Sequence, residues 1–299
     1  MKQAILIIAY KDVEQLINIV RFFNDDFRFY IHIKKSSKIA EEELLRLKGL
    51  KNVVLVSRKY EVKWGGFNLL QVILYLSQEA LKDRNIEYIH LISGQDFPIK
   101  ASNHFTEVLR RNKGKEFIEY VTPPSPQFLK RLSYYYFFDF IDSKKGKGNI
   151  RVFALIKLQK RLGLNRKKPV KVDLAVGSAW WTLSYECVRY VIDYTKRNPS
   201  FLGRLKYTWC PEEFYFQSIL LNSPYKENIV SNNLRYIDWS SRNGSHPAIL
   251  DESDYDRVLR SPQLFARKIE QPVSNKLIQK LINMHQGAGV TEKNLQEKL

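Results

Sequence analysis

The stretch Gln3-Ala-Ile-Leu-Ile-Ile-Ala9 decides how this chain is read. Every position after Gln3 is apolar, and the run stops at the polar turn Tyr10-Lys11-Asp12. A short run that is apolar on both faces reads as a buried strand. It is too short to cross a bilayer, and no cleavage-site pattern follows it. Helix and strand patterns then alternate. Asp12 is placed to cap a helix in which Val13, Leu16, Val20 and Phe23 share a face. Residues 29–33, 53–56 and 88–92 read as further strands, 41–47 as a helix, and Gly65-Gly66 opens a long helix to about Leu81. This β-α-β-α order predicts an α/β fold, a mostly parallel central sheet flanked by helices. Ligands in such sheets sit at the carboxyl ends of the strands.

The composition, 44% hydrophobic over 299 residues, supplies a substantial core, and the 27% charged fraction argues against disorder. The expected organisation is a single domain over residues 1–285, with a basic aromatic insert at about 127–171 and a polar tail at 286–299. The net charge of +18 calls for an anionic partner. Much of it falls between Lys144 and Lys171, where there is no Asp or Glu, just after the cluster Tyr134-Tyr-Tyr-Phe-Phe138. From Ile150 to Leu164, Val152, Phe153, Ile156 and Leu162 lie among Arg151, Lys157, Lys160 and Arg161. That pattern suits an anionic membrane surface; an ordinary core helix with a solvated basic face explains it nearly as well. No RNA- or DNA-binding module is recognisable and the charge is local, so nucleic acid is not an expected partner. The two cysteines, Cys187 and Cys210, form no disulfide framework and lack metal-ligand spacing.

Three segments carry candidate chemistry. In Tyr88-Ile-His-Leu-Ile-Ser-Gly-Gln-Asp96-Phe-Pro98 a strand ends at one acid. Sites that hold a divalent ion on nucleotide phosphates usually offer two carboxylates there. Asp96 alone is a weak substitute, and it could simply cap the turn before Pro98. In Pro211-Glu212-Glu213 the proline suits a helix start and the acids suit its dipole, unless one is a base at the mouth of a cleft. In Leu264-Phe-Ala-Arg267-Lys268 a basic pair sits in an apolar run, placed to stabilise a leaving anion without a metal.

Taken in order, these and other segments resemble glycosyltransferase family 14, the core-2/I-branching and xylosyltransferase family. The matching stretches are Ile5–Lys11, Tyr30–Ser36, Trp64-Gly-Gly66, Ser93–Ile99, Gly177-Ser-Ala-Trp180, Pro211-Glu-Glu213, Leu234–Trp239, Ser245-His-Pro247 and Phe265-Ala-Arg-Lys268. The resemblance implies a GT-A-like fold and inverting transfer of a sugar from a UDP-sugar, N-acetylglucosamine first among the candidates, with no cofactor and no metal. It implies Glu213 as catalytic base and Arg267 and Lys268 as holders of the diphosphate. Gly177, Ser178 and Trp180 fall beside the donor sugar, and Trp239 falls in the acceptor site.

Asp96, Gly65, Gly66 and His246 are further donor-side candidates, and Glu212 is assigned to the acceptor side. Trp64-Gly65-Gly66 could bring backbone amides to a phosphate at a helix start, or the glycines could only permit a tight entry. Lys34 stands where the family commonly has an acid that contacts the nucleoside. A cation cannot accept hydrogen bonds from uracil or ribose. The expected partners are a nucleotide sugar, a glycan or lipid-linked glycan acceptor and an anionic membrane surface. The expected setting is the cytoplasm of a bacterium, including the inner face of its membrane, in surface polysaccharide synthesis. The alternatives are a metal-dependent glycosyltransferase and a non-enzymatic protein that binds carbohydrate or nucleic acid.

Overall fold

The computed structural model describes residues 1–166 and 172–284. Lys167, Lys168 and Lys171 of the basic stretch, and the tail at 286–299, lie outside the described residues. Strand β1 (Lys2–Ala9) turns Ile5, Ile7 and Ala9 to one core and Ala4, Leu6 and Ile8 to another. A strand with two buried faces has no polar side to alternate with, which explains its unbroken apolar run. Asp12 accepts from the Gln15 amide at 3.1 Å and starts α1 (Val13–Phe22). β2 (Phe27–Ile33), α2 (Glu41–Lys48), β3 (Val53–Ser57), α3 (Phe67–Ala80) and β4 (Ile86–Ser93) complete the first half.

The second half continues through β5 (Asp96–Pro98), α4 (Ser102–Arg111), β6 (Glu116–Ile118), α5 (Pro126–Ser133) and α6 (Gly148–Arg161). Then come β7 (Trp181–Ser184), α7 (Tyr185–Arg197), α8 (Pro199–Leu205), α9 (Glu212–Leu221), β8 (Ile229–Val230), β9 (Arg235–Ile237), α10 (Tyr255–Arg260) and β10 (Phe265–Arg267). Residues 275–284 are helical. The main sheet has seven strands in the order β3-β2-β1-β4-β7-β6-β8. The parallel pairing expected from the sequence holds from β3 to β4. Beyond it β7 runs against β4 and β6 against β7, so the sheet is mixed. Helices α1, α2 and α4 cover one face, and α3, α7 and α9 the other.

A second sheet of three strands, β5-β10-β9, stands beyond the end of β4. Its register sets Asp96 opposite Arg267. The insert is folded around a small core of its own, in which Tyr136, Phe138, Val152 and Ile156 are buried with Trp209 against them. Val152 and Ile156 therefore face the protein, as the core-helix alternative expected. No helix among the described residues is long and apolar enough to cross a membrane.

Candidate active site

The chain reverses direction across the sheet between β1 and β4, and their carboxyl ends open a crevice where α/β sheets bind ligands. Three groups converge around it. The first is centred on Asp96, which is fully buried and accepts from the Ser93 amide at 2.7 Å and the Ser93 hydroxyl at 2.6 Å. Arg267 donates to the same carboxylate at 2.9 Å, and its guanidinium lies 4.6 Å from the centre of the Trp180 ring. One carboxylate and one indole thus fix a cation at the crevice. Lys268 follows, 3.2 Å from Glu270 and 3.4 Å from the Ser245 hydroxyl. Glu270 also accepts from Gln95 at 2.7 Å and pairs with Lys11.

The second group stands on the first turn of α9. Glu213 is partly exposed and pairs with Arg131, which comes from α5. Burial raises the Glu213 carboxyl above the usual range, and the Arg131 charge opposes that rise. Arg131 is itself seated on the Phe128 and Trp209 rings, at 4.7 and 5.1 Å. Glu212 points inward, 5% exposed, with its Oε2 lacking a partner. Burial and then the neighbouring Glu213 charge hold its carboxyl well above the ordinary range. A carboxylate this deep presents little of itself to the acceptor side, where the sequence reading placed Glu212.

The third group links the other two. The Gly177 amide donates to the Glu213 carbonyl at 2.9 Å, and the Ser178 carbonyl accepts from Gln217 at 2.6 Å. Two residues on, Trp180 lies under Arg267. Gly177 is required by packing, since an added Cβ would lie 1.9 Å from the Glu119 carbonyl oxygen. Trp239 is 63% exposed, with the His246 ring 6.0 Å away, beside the Ser245 that meets Lys268.

Two expectations change. Gly65 and Gly66 do precede a helix, but the Phe67 and Asn68 amides at its start donate to Asp139 of the insert, at 3.1 and 3.0 Å. The protein's own carboxylate holds the place proposed for a phosphate. Gly66 admits it, because a Cβ there would meet Asp139 Oδ1 at 2.4 Å. The expectation of no metal is also overturned. Cys210, Glu212 and Glu213 each offer a ligand atom, all within 4.8 Å of one another. A thiolate with two carboxylates suits a transition metal better than magnesium. The orphaned Glu212 Oε2 fits that role, whereas the Arg131 pair competes for Glu213.

Sequence reasoning missed Arg131, Glu61 and Glu270. Glu61 pairs with Lys34 at 3.2 Å and accepts from the Ser36 amide and hydroxyl, both at 2.8 Å. A carboxylate therefore does stand at the end of β2, brought from the loop after β3. Arg131 and Glu61 lie far in sequence from their partners, and Glu270, though close to Lys268, also joins the distant Gln95 and Lys11, so no local spacing announces these sets.

A mixed sheet with cations at its carboxyl edge and a carboxylate on an adjoining helix is the layout of a GT-A-like glycosyltransferase. The chain belongs to the core-2/I-branching enzyme family, whose model matches residues 4–258. It is 26% identical to xylosyltransferase 2 of Canis lupus familiaris, over 93% of this chain and 32% of that protein. It is 25% identical to xylosyltransferase oxt of Drosophila pseudoobscura pseudoobscura, over 84% of this chain and 29% of that protein. The chain thus spans about a third of the length of these curated relatives. Among solved structures, the galactosyltransferase LgtC with donor and acceptor sugar analogues aligns over 94% of this chain, with a TM-score of 0.44 and 7% identity.

Proposed function

We propose that residues 1–285 form a single inverting transferase domain that moves a sugar from a UDP-sugar to a hydroxyl of a glycan or lipid-linked glycan. The observation that carries this reading is the Gly177–Trp180 segment, bonded to Glu213 at one end and stacked under Arg267 at the other. It ties a base and a leaving-group cation into one frame. Glu213 takes the proton of the acceptor hydroxyl as that oxygen attacks the anomeric carbon. The bond to the diphosphate breaks on the opposite face, and Arg267 and Lys268 receive the negative charge that leaves. A carboxyl raised by burial is the stronger base once ionised, and Arg131 keeps it ionised and aimed. Asp96 acts through Arg267 as a positioning residue. Ser178 and Trp180 flank the donor sugar, His246 lies on the donor side near Lys268, and Trp239 offers an exposed ring to the acceptor.

N-acetylglucosamine is the first donor to test and xylose the second, because similar relatives carry the name xylosyltransferase. The setting proposed is the inner face of a bacterial cell membrane, in surface polysaccharide synthesis. Two buried free cysteines suit such a reducing compartment. A thermal-shift screen of nucleotide sugars, followed by turnover with and without EDTA, tests the reading. Stabilisation by UDP and one UDP-sugar, with release of UDP on addition of a glycan acceptor, is expected. No response to any nucleotide sugar would sink it. The EDTA arm reads whether an ion at Cys210, Glu212 and Glu213 is needed for turnover.

A further inference from the structure

Helix α6 has two apolar faces, and only one is used by the fold. Val152, Ile156 and Gln159 are buried against the insert's aromatic core. On the other side Ile150, Ala154, Leu158 and Leu162 follow one another at four-residue intervals, which makes a single row on a helix. All four are exposed, Ile150 to 67% and Leu162 to 60%. Phe140, before the helix, and Leu164, after it, are exposed as well. The row is about 18 Å long at 1.5 Å per residue. Arg151, Lys157, Lys160 and Arg161 are exposed around it, and no acid occurs from Ser143 to Arg166.

We propose that this face of α6 lies on a bilayer containing anionic lipid, with the Ile150–Leu162 row in the interface and the flanking cations at the headgroups. The mixture of side chains selects this occupant. A nucleic acid would satisfy the cations and find the exposed rings of Phe140 and Phe153, but it would leave the aliphatic row in water. A second copy of the chain would bring the same unbalanced cations face to face. Only an anionic apolar surface meets both kinds of side chain. A lipid-linked acceptor would fit this placement, yet the inference rests on α6 alone and does not need the transferase reading.

Co-sedimentation of the full chain with two kinds of vesicle tests it, phosphatidylcholine alone and phosphatidylcholine mixed with phosphatidylglycerol. Binding to the mixed vesicles at low salt is expected. Ile150→Ser with Leu158→Ser, which leaves the charge unchanged, should weaken it about tenfold, and Lys157→Glu with Arg161→Glu at least as much. These side chains are exposed, so thermal midpoints should stay level. UDP binding, measured on every variant, keeps a failure here distinct from a failure of the transferase reading. The inference is overturned if the wild type ignores mixed vesicles, if the double serine variant binds as tightly as wild type, or if an oligonucleotide is bound while vesicles are not.

Discussion

Glu213 and Asp96 are both acids at the crevice, and their surroundings give them opposite tasks. Glu213 is partly exposed and shares one arginine, so it can exchange a proton with a ligand. Asp96 is sealed, holds Arg267 and has its Oδ1 unpaired. Glu213→Gln keeps the size and removes the basicity. Turnover should fall about 100- to 10,000-fold while UDP affinity, read by calorimetry, stays close to wild type; near-normal turnover would dismiss Glu213 as the base. Asp96→Asn leaves Arg267 without its counter-charge. A loss of about 3 kcal/mol in urea unfolding is expected, with weaker UDP binding, because breaking a buried pair strands one charge. Unchanged stability and affinity would show that Asp96 does not position Arg267. The acids were legible in the sequence, since Pro211-Glu212-Glu213 and Ser93–Pro98 are local patterns. Their partners were not. Arg131 is 82 positions from Glu213 and Arg267 is 171 from Asp96, and only the folded chain brings them together.

At the scale of elements, the first half was easy to read because β1 is apolar on both faces and the strands and helices there are long enough for a pattern to show. Asp12 and α1 are the clearest case. β7 to β10 are at most four residues long, too short for a period to show, and the second sheet they help build was not foreseen. The capping of α3 was hidden for another reason. Its cap, Asp139, comes from the insert about seventy residues later, where spacing rules do not reach. Asp139→Ala should cost about 1–2 kcal/mol, as loss of a helix cap does, read as a lower urea midpoint. If α3 were capped adequately by solvent, the midpoint would not move.

Over the whole molecule, stability should respond to acid through its buried imidazoles. His32 accepts from the Tyr60 amide at 3.0 Å, and burial pushes its pKa down to about 4 from 6.5. The unfolded chain binds a proton at 6.5 that the folded chain refuses until about 4, so stability is lost as pH falls through that window. The loss is about 3 kcal/mol. His90, buried on Gln3 and Thr182, acts in the same direction. Glu116, raised by burial to about 7, acts in the opposite one, favouring the fold more at low pH than at high. The comparison to make is therefore wild type against His32→Gln across pH 7 to 4. The gap between the two should shrink by about 3 kcal/mol as the pH falls; a constant gap would mean that His32 does not titrate differently on folding. The pairing of β5 with β10 carries a further consequence, one of timing. Asp96 and Arg267 are 171 positions apart. While the chain is being synthesised, Asp96 emerges long before the arginine that answers its charge, and β5 has no strand to pair with until β10 arrives. The main sheet can begin to assemble from the first half, but the crevice proposed for the donor is finished last. A nascent chain halted before Phe265 would carry Glu213 and most of its core, yet lack Arg267 and Lys268, the pair proposed to hold the diphosphate.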